Sequence, residues 1–181
     1  MKSSILSKTL LTTAIALLLS ISSASAHCQV PCGIYGDQLQ IDEIRQHITT
    51  ISKSMAQISE LSGKSPVNYN QLVRWVNNKE EHAQLIQEAV SAYWLTQRIK
   101  PAGPKDKKAH AKYLNQCALL HQMLFYAMKC KQTTDAKNAE MLTATLNTFA
   151  ATYFGPKEKA HMEKSHKDTD GKEHHKEESK N

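Results

Sequence analysis

The chain has 181 residues, which is enough for one domain with a hydrophobic core of useful size but short for two. Its formal net charge is +6, and the first 26 residues contribute two lysines and no acid, which leaves +4 on the remainder. So mild an excess, with 6% aromatic residues and no basic stretch, argues against nucleic-acid binding and favours weak attraction of small anions.

The first 26 residues have the pattern of a secretory signal peptide. Lys2 and Lys8 form a positive region, residues 10–19 are apolar, and a small-residue A-x-A motif ends at Ala26. The apolar stretch is too short to span a bilayer well, so we expect no membrane anchor in the mature form. We therefore predict cleavage by signal peptidase after Ala26 and an exported protein, either periplasmic or secreted.

Residues 27–35, with the sequence HCQVPCGIY, concentrate metal ligands at the new N-terminus, and we call them the hook. His27 would offer its α-amine and imidazole, Cys28 its amide nitrogen and thiolate, and Cys32 a second thiolate. Pro31 and Gly33 favour a turn that folds Cys32 back. The amine, the amide nitrogen and the two sulfurs make a planar set, which suits Ni(II) or Cu(II), and the imidazole is available as a fifth ligand.

Four amphipathic segments follow the hook. Apolar residues recur every three or four positions in residues 39–61, 70–98, 106–131 and 136–154. Asp37 is predicted to cap the first helix, and Gly63 is predicted to end it. Because short loops join the segments and no alternating strand pattern is present, we predict an all-α, up-down-up-down four-helix bundle over residues 27–154.

Two further cysteines, Cys117 and Cys130, lie in the third predicted helix. On one continuous helix they would be about 20 Å apart, because each residue rises about 1.5 Å. A disulfide requires a Cα separation below about 7 Å. We therefore predict that they do not pair and that both pack as small buried hydrophobic residues.

The tail, residues 155–181, is rich in lysine, glutamate and histidine and almost free of large apolar side chains. Such a composition cannot bury enough surface to offset the entropy of ordering, so we predict that the tail is disordered. Its histidines allow loose metal binding, but a merely solvating tail is an equally good interpretation.

The string HCxxPCGxY at residues 27–35 resembles the metal-binding N-terminus of nickel-containing superoxide dismutases. The resemblance implies one nickel ion per subunit, held by the amine and axial imidazole of His27, the amide nitrogen and thiolate of Cys28, and the thiolate of Cys32. It implies that Tyr35 stands over the open face and orients the substrate or water. The implied reaction is disproportionation of superoxide to dioxygen and hydrogen peroxide, with nickel cycling between Ni(II) and Ni(III).

The resemblance also implies roles for residues that do not bind the metal. Pro31 shapes the hook through a cis bond with Val30. Glu43 matches a glutamate that holds the axial histidine, and His82 stands where an arginine backs that glutamate. Lys100 matches a lysine that draws the anionic substrate toward the metal. The family resemblance further implies a homohexamer of such bundles.

Two other functions are compatible with some of the same residues. An exported metal-binding or metal-delivery protein would use the hook and the histidine-rich tail without turning over superoxide. A helical interaction module would instead join Cys28 to Cys32 in a disulfide and hold no metal. The cleavage position separates these alternatives, because an extra residue ahead of His27 would remove the amine ligand.

Overall fold

The computed structural model describes residues 30–155, and within them four helices form a four-helix bundle. Helix α1 spans Asp37–Ser62, α2 spans Tyr69–Glu88 with a π-helical continuation over Ala89–Arg98, α3 spans Lys107–Gln132, and α4 spans Ala136–Phe154. Each helix packs against the next one, and α4 packs against α1. The predicted all-α bundle is confirmed, and residues 30–155 contain no strand.

Several predicted features lie outside the described residues. They include the signal peptide, the proposed ligands His27 and Cys28, and the tail from residue 156 onward. The helices belong to a compact unit that begins at Gly33, whereas residues 30–32 belong to the unit before it. Among the described helices, none combines the length and the apolar character that a bilayer-spanning segment needs.

The N-terminus of α1 differs from the prediction. Asp37 is not the cap, because Gly36 occupies that position and provides no side-chain cap. Asp37 lies in the first turn, and its carboxylate accepts hydrogen bonds from two other elements of the bundle. Asp106 and Asp135 do cap α3 and α4, by accepting backbone N–H groups at 3.0 and 3.1 Å. The predicted start of α1 is therefore right to within a residue, but the role of Asp37 is different.

The last ten residues of the second helix are π-helical, which the sequence periodicity did not indicate. The backbone N–H of Ile99 donates to the Trp94 carbonyl oxygen, five residues earlier, at 2.9 Å. The side chains of Thr96 and Gln97 also donate to carbonyl oxygens five residues earlier, at 2.7 and 3.0 Å. A π turn takes in an extra residue, so it changes which side chains near Arg98 face the neighbouring helices.

An aromatic cluster fixes this π segment inside the bundle. Trp94 is completely buried and meets Phe149 and Tyr153 of α4 edge to face, with 4.9 Å between ring centroids in each pair. Edge-to-face geometry is favourable because the positive edge of one ring meets the negative face of the other. The π segment and α4 are thereby held together near the start of α1.

The two cysteines of α3 are free, as predicted. Cys130 is completely buried, and burial raises the pKa of its thiol to about 11 despite the nearby charge of Lys79. Cys117 packs against the core but is only half-buried, so the prediction that both cysteines are buried is confirmed for Cys130 alone. Cys130 therefore behaves as a small hydrophobic core residue, and its thiol stays protonated at neutral pH.

Candidate metal centre

The described part of the hook runs from Val30 to Tyr35. The Val30–Pro31 peptide bond is cis, as the family resemblance implies. Cys32 is exposed and carries a free thiol. Gly33 has a φ of 79°, a left-handed conformation that glycine adopts without the steric cost other residues meet. The backbone therefore bends around Cys32, at the position where the sequence predicts a turn.

The chemistry of Cys32 fits a nickel ligand. Its sulfur is not committed to a disulfide, and a thiolate is a soft donor able to bind a late transition metal. Within residues 30–155, no three side chains of histidine, cysteine, aspartate or glutamate are grouped so as to hold a metal ion. The predicted ligand set therefore depends on His27 and Cys28, which lie outside the described residues.

Tyr35 is the predicted substrate-orienting residue, and its ring has two partners in the bundle. The guanidinium carbon of Arg98 lies 4.2 Å from the ring centroid. Tyr93 meets the same ring edge to face, with 6.0 Å between centroids. The residue remains 40% exposed, so its ring is held while part of it stays accessible to solvent and small molecules.

Both partners of Tyr35 are held by the carboxylate of Asp37. Arg98 donates to it through Nε at 2.7 Å and Nη2 at 2.5 Å, which is a two-point ion pair. The hydroxyls of Tyr93 and Tyr153 donate to the same carboxylate at 2.5 and 2.7 Å. We call Asp37, Tyr93, Arg98 and Tyr153 the Asp37 cluster. It joins α1, the π segment and α4 at one point.

Ionisation in the Asp37 cluster follows from these bonds. Burial alone would raise the pKa of Asp37, but hydrogen bonds from Arg98, Tyr93 and Tyr153 hold that pKa below its usual value. Burial, together with the hydrogen bond to Asp37, raises the pKa of Tyr153 to about 12 and raises that of Tyr93 further. At neutral pH the cluster therefore contains one carboxylate, one guanidinium and two neutral phenols.

A second polar cluster lies farther along α1 and includes two predicted supporting residues. Glu43 is exposed and accepts a hydrogen bond from Gln40 at 3.1 Å. One turn later, Nδ1 of His47 lies 2.9 Å from Nδ1 of His82 on α2. A contact between two imidazole nitrogens requires one to donate and the other to accept, so the pair shares one proton.

The pKa of His47 reflects this arrangement. Burial lowers it, the neighbouring His82 lowers it further, and the charge of Glu43 opposes both effects. His82 thus meets His47, while Glu43 acts on His47 through its charge. Nothing in the sequence around His47 indicates a partner on another helix, so the sequence did not identify it as a site residue.

Lys100 is exposed and lies two residues after Arg98, the last residue of the π segment. The cation that the structure shows against Tyr35 is Arg98, two residues earlier. Sequence reasoning missed both Arg98 and Asp37 as site residues. The available signal was weak, because an aspartate at a helix start and an arginine at a helix end each have an ordinary local explanation.

Comparison with known proteins assigns the chain to a family. The model of the family of nickel-containing superoxide dismutases matches residues 22–157, which include the whole hook and all four helices. No curated protein and no solved structure matches the chain significantly. The family match covers well over half of the chain.

Proposed function

The chain belongs to the family of nickel-containing superoxide dismutases, and on that premise we propose that its hook is where superoxide reacts. Membership makes the chain an oxidoreductase with a nickel cofactor and superoxide as substrate. Nickel bound at the hook would supply one-electron chemistry between Ni(II) and Ni(III), so that one superoxide would give up an electron to become dioxygen and a second would accept an electron and two protons to become hydrogen peroxide. The free, exposed thiol of Cys32 inside the string HCxxPCGxY is the observation that carries the proposal.

The proposed ligands all come from the processed N-terminus. Cleavage after Ala26 by signal peptidase would free the α-amine of His27, which joins its imidazole, the amide nitrogen and thiolate of Cys28, and the thiolate of Cys32. Pro31 shapes the turn between the two cysteines. Because the amine exists only after cleavage, the proposal links metal binding to export.

Tyr35 would orient superoxide or water near the metal. It follows Cys32 by three residues, and its ring is fixed by Arg98 and Tyr93 while remaining partly exposed. A phenol hydroxyl can both donate and accept a hydrogen bond, which suits it to hold an anion or a water molecule. The two protons that peroxide formation requires would come from water ordered at this position.

Glu43 and His82 would support the metal ligands from the bundle. A histidine that binds a metal usually donates its other ring nitrogen to a carboxylate, and Glu43 is the proposed acceptor for His27. His82 would act on Glu43 through His47, with which it shares a proton. Such a support would be sensitive to pH, because an added proton on the histidine pair changes the charge beside Glu43.

Substrate attraction, assembly and location complete the proposal. Lys100 is exposed and would draw the anionic substrate toward the metal. A homohexamer would shield the thiolates from oxidants larger than superoxide. The signal peptide pattern supports export to the periplasm or beyond the cell.

A substitution of the described thiol ligand tests the proposed site. Cys32→Ser in the mature, nickel-supplied protein should reduce both bound nickel and the rate of superoxide disproportionation by more than about 100-fold, because loss of a ligand costs at least as much as loss of its supporting partner. Cys117→Ser, which changes another free thiol, is the matched control and should leave both unchanged. A Cys32→Ser protein with full nickel content and rate would contradict the proposal.

A further inference from the structure

We propose that Arg98, held by Asp37, is a positioning residue that sets the place of the Tyr35 hydroxyl, and this inference rests on the substrate-orienting role proposed above for Tyr35. Arg98 meets the ring of Tyr35, whereas its hydrogen bonds go to a different residue. It thereby connects Tyr35, the last residue of the hook, with the interior of the bundle.

The contact between Arg98 and Tyr35 is a stacking contact. The guanidinium carbon lies 4.2 Å from the ring centroid, within the range of a cation–π interaction. Tyr93 meets the edge of the same ring, so two sides of the ring are occupied. Because the ring is rigid, fixing its plane also fixes the direction in which its hydroxyl points.

Asp37 makes Arg98 a fixed support. Its carboxylate accepts Nε and Nη2 of Arg98 in a two-point ion pair, and both side chains are largely buried, with 17% of Asp37 and 24% of Arg98 exposed. Two tyrosine hydroxyls, from Tyr93 and Tyr153, hold the same carboxylate. A guanidinium bound in this way has little freedom to change its plane.

The charges of this pair indicate how it would act. Asp37 neutralises Arg98 at close range, so the pair contributes little to the electric field that a distant superoxide ion meets. Lys100 is exposed and two residues away, and it is the proposed long-range attractant. Arg98 is therefore expected to influence the geometry at Tyr35 and not the encounter rate, which separates its role from that of Lys100 by experiment.

A nuclear magnetic resonance measurement on the nickel-free protein tests the positioning directly. With ring-labelled tyrosine, and with the Tyr35 signal assigned by Tyr35→Phe, Arg98→Gln should shift the Tyr35 ring resonances. The matched control Arg74→Gln, which alters an exposed arginine of α2, should leave them in place. Unchanged Tyr35 resonances in Arg98→Gln would overturn the inference, whatever the activity of the protein.

A double-mutant cycle in the nickel-loaded protein tests the consequence for turnover. Arg98→Gln should reduce the rate roughly tenfold, because small displacements of an orienting group cost that much or more. In the Tyr35→Phe background the same substitution should cost less than about twofold, since no hydroxyl remains to be placed. Equal losses in both backgrounds would overturn the inference.

Two further arms keep the outcomes distinct. The double variant Asp37→Asn/Arg98→Gln removes both charges, so it avoids leaving a buried carboxylate unpaired. It should reproduce the shift of the Tyr35 resonances if Arg98→Gln fails to fold.

The loss of rate caused by Arg98→Gln should be the same at low and high salt. A loss of rate that salt abolishes would reassign Arg98 to substrate attraction. If Tyr35→Phe itself keeps the full rate, the proposed role of Tyr35 fails, whereas the resonance shift still decides whether Arg98 positions the ring.

Discussion

Two polar clusters connect α1 to the second helix, and they respond differently to protons. The Asp37 cluster contains a full ion pair with Arg98 and two phenols that stay neutral near pH 7. The contact of His47 with His82 contains one shared proton and no fixed opposite charge. The first cluster keeps its hydrogen bonds across the physiological pH range, whereas the lowered pKa of His47 makes the second cluster sensitive to mild acid.

This difference in response to protons indicates different roles for the Asp37 cluster and the histidine pair. The Asp37 cluster holds the ring that would orient the substrate, where a constant geometry is useful. The histidine pair lies one turn from Glu43, the residue proposed to support the axial ligand. A proton added to His47 would therefore act on Glu43, and through Glu43 on that ligand. Mild acid should therefore act on the bundle through the histidines and leave the surroundings of Tyr35 unchanged.

The largest expected effect comes from removing the carboxylate of the Asp37 cluster. Asp37→Ala leaves Arg98 and the hydroxyls of Tyr93 and Tyr153 without their acceptor, which should lower the free energy of unfolding by roughly 2–3 kcal/mol. Urea unfolding at pH 7 measures this loss. Asp42→Ala, which alters a neighbouring carboxylate of α1, should cost less than about 0.5 kcal/mol and serves as the control.

The sign of the Asp37 contribution can be checked with acid. Because the folded protein holds the pKa of Asp37 below its unfolded value, the unfolded chain takes up the proton first as the pH falls. The stability from Asp37 is thus complete above about pH 3.9 and lost below it. Equal acid sensitivity of the Asp37→Ala variant and the parent protein below pH 4 would contradict this role.

A smaller effect is expected from removing one hydroxyl of the cluster. Tyr153→Phe keeps the ring that packs on Trp94 but deletes one donor to Asp37, so it should cost about 1 kcal/mol of unfolding free energy. Differential scanning calorimetry of the variant checks this value. Tyr126→Phe on α3 is the control. A cost equal to that of Asp37→Ala would show that the Tyr153 hydroxyl alone accounts for the contribution of the carboxylate, which would contradict a cluster shared among three donors.

A still smaller effect, visible as a pH dependence, is expected from the histidine pair. The folded-state pKa of His47 lies below its unfolded value, so His47 contributes stability above about pH 6.5 and loses it as the pH falls toward the folded pKa. His47→Gln should flatten this dependence in urea unfolding between pH 7.5 and pH 5. His121→Gln, on the exposed face of α3, should keep the parental slope, and a flat parental profile would contradict the assignment.

The smallest effect is expected from the exposed lysine. Lys100→Gln should lower the second-order rate with superoxide by about twofold at low salt and leave it unchanged at high salt, because exposed charges are screened. Stopped-flow or pulse radiolysis at two ionic strengths measures this difference. A salt-independent loss would place Lys100 in contact with the substrate and would remove the contrast with Arg98.

The sequence allowed the helices to be predicted more completely than the contacts between them. Apolar spacing located all four helices, and α4 was predicted with the bounds that the structure has. Asp135 caps α4 by accepting the N–H of Lys137, only two residues away, because a cap and its partner are always close in sequence. Helix positions and caps depend on residues close together in the chain, so they can be predicted from the sequence of one segment.

The Asp37 cluster and the histidine pair could not be predicted from the sequence of one segment. Asp37 meets Arg98 across 61 positions of sequence, and His47 meets His82 across 35. The π turn before Arg98 adds a further difficulty, because it changes the register that an α-helical period assumes. The hook string, by contrast, is local and specific, and it led to the family that the comparison then showed.

A native mass spectrum of the protein purified from nickel-supplied cells tests the central claim most directly. It reads the N-terminal residue, the bound metal and the subunit number of the same molecules. The proposed centre predicts chains that begin at His27 and carry one nickel ion each, and a sixfold assembly would support the proposed homohexamer. Metal-free chains that begin elsewhere, or chains two protons lighter from a disulfide between Cys28 and Cys32, would contradict a nickel centre at the hook.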